Sequence, residues 1–126
     1  MKVLQVIDCA YRATLEEQDD TIIWITHAMK GAGAHLTVLL GGNATNYVIR
    51  GQDASGLSFG DWRQTEPPRI ENDVAGLVEK GVKVYVLEED LAERGLGNEP
   101  RIDGVALITR GGVPSLMDAH DQVWHW

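Results

Sequence analysis

One thiol, four histidines and several clustered carboxylates are the side chains here that could do chemistry. Cys9 is the only cysteine. It follows Lys2–Ile7 (KVLQVI), which reads as a short buried strand, and stands a few residues before a helical stretch. A helix dipole and the nearby Arg12 favour the thiolate, the form that attacks sulfur. Asp8 and the acidic run Glu16, Glu17, Asp19 and Asp20 act in the opposite direction. The plain alternative is a buried cysteine packing as a small apolar residue.

Gly41-Gly42-Asn43 follows one strand-like run and precedes a short helical one. Such a turn can offer backbone N–H groups to an anion, which makes Arg12, Gly41, Gly42 and Asn43 the candidate binding residues. It lacks the glycine fingerprint of a dinucleotide site and the Gly-Lys-Ser/Thr of a phosphate loop. His27, His35, His120 and His125 have no metal-ligand spacing, so no metal is expected. Ser115 sits in no nucleophile elbow. Glu88, Glu89 and Asp90 could do acid–base work or simply begin a solvated helix.

The elements that must position these groups alternate along the chain. Thr14–Lys30 reads as an amphipathic helix. Thr14 and Glu17 would form a capping box, and Leu15, Ile22, Ile25 and Met29 the buried stripe. Trp24 and Ala28 form a second stripe, which suggests cover by another subunit. His35–Leu40 is nearly continuous in apolar character, as in a strand covered on both faces. A short helix is expected over 44–50, then an irregular connection over 51–66 that keeps Phe59 and Trp62. Helices at 70–80, 90–94 and 114–120 alternate with strands at 83–87, 105–108 and 122–126. Such alternation implies an α/β fold in which a mainly parallel sheet of about five strands carries helices on both faces. No internal repeat or domain boundary is visible, so residues 1–126 are read as a single domain.

The totals narrow the function. A net charge of −8 and a pI near 4.8 argue against nucleic acid and against an anionic membrane surface as partners. No apolar run reaches the length of a membrane span. The amino terminus has no secretory signal and a lone cysteine makes no internal disulfide, so the cytoplasm is the expected compartment. Four tryptophans, two of them in Trp124-His125-Trp126, suggest an interface and hence a homo-oligomer.

The order of elements, the size and three strings resemble the DsrE/DsrF/DsrH family, with its TusB/TusC/TusD and YchN-like members. The strings are KVLQVID, EEQDDTIIWITHAMKGAGAHLTVLL and GVKVYVLEEDLAERGL. The resemblance implies a three-layer α/β/α sandwich assembling as trimers or hexamers. It also implies transfer of sulfane sulfur between protein thiols, with other sulfur-relay proteins as thiol donor and acceptor and no cofactor. The sulfur-carrying cysteine of such proteins falls, counting back from Arg94-Gly95, near Leu87, where this chain has no thiol. Cys9 is therefore the candidate sulfur carrier. The alternatives are a non-catalytic docking subunit of the same fold and a small-anion or nucleotide-binding module using the Gly41–Asn43 turn.

Overall fold

The computed structural model describes residues 1–12, 14–52 and 54–126. Ala13, Asp53 and the Glu16 side chain lie outside the described residues, and with them small parts of the expected first loop, acidic helix start and long connection.

In chain order the elements are β1 (Lys2–Ile7), α1 (Thr14–Glu17), α2 (Thr21–Gly31), β2 (His35–Leu40), β3 (Ser58–Phe59), β4 (Trp62–Arg63), α3 (Ile70–Glu79), β5 (Lys83–Leu87), α4 (Glu88–Glu93), β6 (Ala106–Ile108), α5 (Val113–Asp118) and β7 (Gln122–His125). Short 3-10 segments occupy Gly42–Val48 and Arg110–Gly112. Five strands form one sheet in the order β6-β5-β2-β1-β7, and every pairing in it is parallel. β3 and β4 make a separate two-residue hairpin within the long connection, with Phe59 and Trp62 exposed.

Side chains alternate across each strand, so the register assigns them to faces. One face presents Ile7, Val38, Leu40, Val84 and Val86 to Ile23, Tyr47, Val48, Val74 and Leu77. Here α2 and α3 lie close. His27 Nε2–H donates to the Asp73 carbonyl at 2.7 Å, and a Cβ on Gly76 would sit 3.2 Å from the His27 ring. The other face carries Leu4, Val6 and Leu39, flanked by Tyr85, Leu87 and Ile108 and covered by Val113 and Leu116 around α5. The expected three-layer α/β/α arrangement is present with unequal layers, because α5 spans only six residues.

One polar chain crosses the first face. Trp126 Nε1–H donates to Gln5 Oε1 at 3.1 Å, Gln5 Nε2–H to Thr26 Oγ1 at 2.6 Å, and the Thr26 hydroxyl to the Ile22 carbonyl at 2.6 Å. Gln5 and Thr26 are fully buried. Each donor in the chain finds an acceptor, which is the condition for burying polar groups without large cost.

The first helix departs from expectation. The stretch 14–30 divides at Gln18, whose φ of 66° is left-handed. Thr14 and Glu17 do not set the start of the long helix. Asp20 does, its Oδ1 accepting the N–H groups of Ile22 at 2.9 Å and Ile23 at 3.0 Å. The buried stripe shifts accordingly to Ile23 and Thr26, while Leu15 is exposed. Strands β1, β2 and β5 have the expected bounds. The helix expected over 44–50 is the 3-10 segment Gly42–Val48.

Candidate functional site

Every strand of a parallel sheet ends at the same edge, and the carboxyl ends of β1, β2, β5, β6 and β7 bring five segments together. β1 leads into Asp8 and Cys9. β2 leads into Gly41, Gly42 and Asn43. β5 leads into Glu88, Glu89 and Asp90, β6 into Arg110, and β7 into His125 and Trp126.

Cys9 is exposed at this rim. Its neighbour Asp8 is held from several sides. The Asp8 N–H donates to the Trp126 carbonyl at 3.0 Å, the Asp8 carbonyl accepts the Ala44 N–H at 3.3 Å, and the carboxylate meets His125 Nε2. Gly41 is the packing point of the rim. A Cβ there would lie 2.7 Å from Asp8 Oδ1 and 3.0 Å from Leu87 Cδ1. Gly42, at φ 51°, sits against the Asp8 carbonyl in the same way.

Asp90 organises the β5 side. It is buried, and its Oδ2 accepts the Gly42 N–H at 2.7 Å. Its Oδ1 accepts from Arg110 Nη2 at 2.5 Å, and the same guanidinium reaches Glu93 at 2.9 Å. Burial pushes the Asp90 carboxyl up, but the Gly42 N–H and the Arg110 and Arg94 charges outweigh it and hold the group below its ordinary range. Asp90 and Glu93 in turn raise Arg110 above the usual arginine value. Arg94 Nε–H donates to Asn43 Oδ1 at 3.2 Å.

The sequence-predicted residues divide at this rim. Cys9, Gly41, Gly42 and Asn43 come together at it, whereas Arg12 is exposed and contributes its carbonyl to the Thr14 hydroxyl. The Gly41–Asn43 turn does not stand open. Gly41 N–H goes to the Ile7 carbonyl at 3.0 Å and Gly42 N–H to Asp90, so carboxylates occupy the side from which an anion would approach. The helix end nearest Cys9 belongs to the four-residue α1, and the positive end of α2 is occupied by Asp20. The expected helix-dipole support for a Cys9 thiolate is therefore slight. Residue 87, the expected thiol position, is a half-buried leucine that ends β5.

Two pairs at the rim escaped the sequence reading. Asp8 and His125 are separated by 117 positions, and Asp90 and Arg110 by 20. No local spacing marks either pair; only the strand order brings them together.

Fold and rim together define a class: a small parallel α/β sheet with helices on both faces and one thiol exposed at its carboxyl edge. The chain shares this fold with the ychN protein from E. coli, with a TM-score of 0.74, 18% identity and 100% of both chains covered. It is also similar to MTH1491 of Methanobacterium thermoautotrophicum, a protein of unknown function, with a TM-score of 0.66, 15% identity and coverage of 98% of this chain and 97% of that one. The YchN-like architecture implied by the sequence resemblance is the architecture observed. No protein-family profile matches the chain. A search of curated proteins found no match.

Proposed function

We propose that this chain is a DsrE-like sulfur-relay protein in which Cys9 carries a sulfane sulfur. The observation that carries the reading is an exposed thiol at the carboxyl-end rim of a YchN-like sheet. The Cys9 thiolate attacks the outer sulfur of a donor persulfide. The donor's S–S bond breaks, the donor leaves as a thiolate, and Cys9 becomes the persulfide. An acceptor thiolate then attacks that outer sulfur and releases the Cys9 thiolate, so each exchange is balanced without an added oxidant or reductant. Partner thiols can reach Cys9 because the side chain is exposed. The setting proposed for this relay is the cytoplasm, with the chain as a homo-oligomer.

Incubation with a sulfane-sulfur donor tests the proposal. The expected result is a mass gain of one sulfur on Cys9 that dithiothreitol removes, larger in the folded protein than in the urea-unfolded chain. Equal labelling of folded and unfolded protein, or none, overturns it.

Leu87 favours a second reading. Where the resemblance places a sulfur-carrying thiol, this chain has a hydrocarbon packed toward Gly41. A docking subunit of the same fold, without thiol chemistry, would look this way. It would bind a sulfur-carrying partner equally well as the Cys9→Ser variant.

A further inference from the structure

At the opposite edge of the sheet lies an open cavity of about 370 Å³. Lys2, Lys30, His35, Lys83 and His120 line it, with Leu36, Tyr85 and Leu116 among its apolar walls and no carboxylate in the lining. The chain has four lysines, and three of them converge here although the net charge is −8. The fourth, Lys80, meets His27 Nδ1 at 2.8 Å. Among the described residues no lysine takes part in a salt bridge. The Asp121 carboxylate at this edge accepts the backbone N–H of Lys2 at 2.6 Å.

Strand register explains the gathering. Lys2 pairs with His35, and Thr37 with Lys83, so these residues of three adjacent strands share the face that α5 covers. Each is near an amino end, where α5 leaves the sheet open. His120 closes one side: Nδ1–H donates to the Leu116 carbonyl at 2.7 Å, and Nε2 accepts the Thr37 hydroxyl at 2.9 Å. Lys2 and Lys83 lie two strands apart, with His35 and Thr37 as their direct partners on β2, so their charges border one opening in which an anion can bridge them. Three lysines around an opening walled by Tyr85 and Leu116 match an anionic head on an apolar body.

We propose that this cavity binds a small organic phosphate, its phosphate held by Lys2, Lys30 and Lys83 and its apolar body against Tyr85 and Leu116. The site lies at the opposite edge from Cys9 and does not depend on sulfur transfer.

Calorimetric titration of the full chain with phenyl phosphate and with inorganic phosphate tests this. Phenyl phosphate is expected to bind more tightly than inorganic phosphate. Lys30→Ala combined with Lys83→Ala is expected to weaken it about tenfold or more, by loss of charge-assisted hydrogen bonds. Lys80→Ala and Cys9→Ser are expected to leave it unchanged. Circular dichroism of each variant establishes that the fold is retained. Amide resonances of Thr37 and Tyr85 are expected to shift on titration and that of Cys9 to stay. No binding of phenyl phosphate, equal binding by the double variant, or equal weakening by Lys80→Ala overturns the proposal.

Discussion

The Tyr47 hydroxyl donates to Asp20 Oδ2 at 2.6 Å, and its oxygen accepts the Tyr11 N–H, also at 2.6 Å. One buried phenol thereby joins the cap of α2 to the loop that carries Cys9. Tyr11, at a left-handed φ of 58°, stacks edge-on against the Tyr47 ring. Tyr47→Phe keeps the ring and removes both bonds, leaving Asp20 and the Tyr11 N–H short of a partner. The expected loss is about 1–3 kcal/mol in urea unfolding, with faster hydrogen exchange at residues 10–12.

The same pair predicts an alkaline limit. Burial, and then the Asp20 carboxylate, push the Tyr47 hydroxyl well above its ordinary value. The folded state keeps the proton while the unfolded chain releases it. The contribution is therefore complete below about pH 10, the ordinary tyrosine value, and is lost as pH rises beyond it. Unfolding midpoints measured between neutrality and pH 11 should fall more steeply in the parent than in Tyr47→Phe. Parallel curves would refute the assignment.

Asp90 predicts the acid side. Its carboxyl is held below the ordinary range, so the stability it supplies is present above about pH 4 and lost as pH falls through the lower folded value. Asp90→Asn is expected to cost about 1–3 kcal/mol at neutral pH through its bonds to Gly42 and Arg110. The gap between parent and variant should close on acidification. A gap that persists at pH 2 would mean that packing, not charge, sets the cost.

Gly41 and Gly31 form a matched test of space. A Cβ at Gly41 meets Asp8 and Leu87, whereas one at Gly31 meets nothing within 4 Å. Gly41→Ala should destabilise by about 1–3 kcal/mol through overpacking. Gly31→Ala should stabilise by about 0.5–1 kcal/mol, since alanine loses less backbone entropy in a helix. Thermal melts of the two variants, with opposite signs, are the readout.

Cys9 is exposed, so Cys9→Ser should change stability by less than about 0.5 kcal/mol while abolishing sulfur loading. Trp24 remains 55% exposed on α2 and Trp126 40% exposed beside β7. Light scattering is expected to give a mass above the 13.9 kDa of one chain. A protomer mass at all concentrations would refute association through these surfaces.

The strand bounds are legible where the run is mostly apolar. KVLQVI, HLTVLL and KVYVL are covered on both faces, and their bounds follow from that alone. The first helix differs from its expected span because Asp20, and not the Thr14–Glu17 pair, caps its long segment. Asp20 prevails, since its carboxylate also receives Tyr47, a bond made from 27 positions away. Cys9 and the Gly41–Asn43 turn were visible by type and position. Their surroundings were not: Asp8–His125 and Asp90–Arg110 are products of strand order, and the lysine-lined cavity is a product of register. Residues spread from 2 to 120 meet there with no common spacing.

β1 has one neighbour early in the chain and the other at its far end, since it pairs with β2 and with β7. During synthesis the β7 side of β1 stays without a partner until residues 122–125 leave the ribosome. Strand β7 is then the clasp of the sheet, since it carries the segment that sets Trp126 against Gln5 and His125 against Asp8. Closing the rim that holds the thiol thus depends on pairing between segments as much as 117 positions apart, and contacts of such separation form slowly.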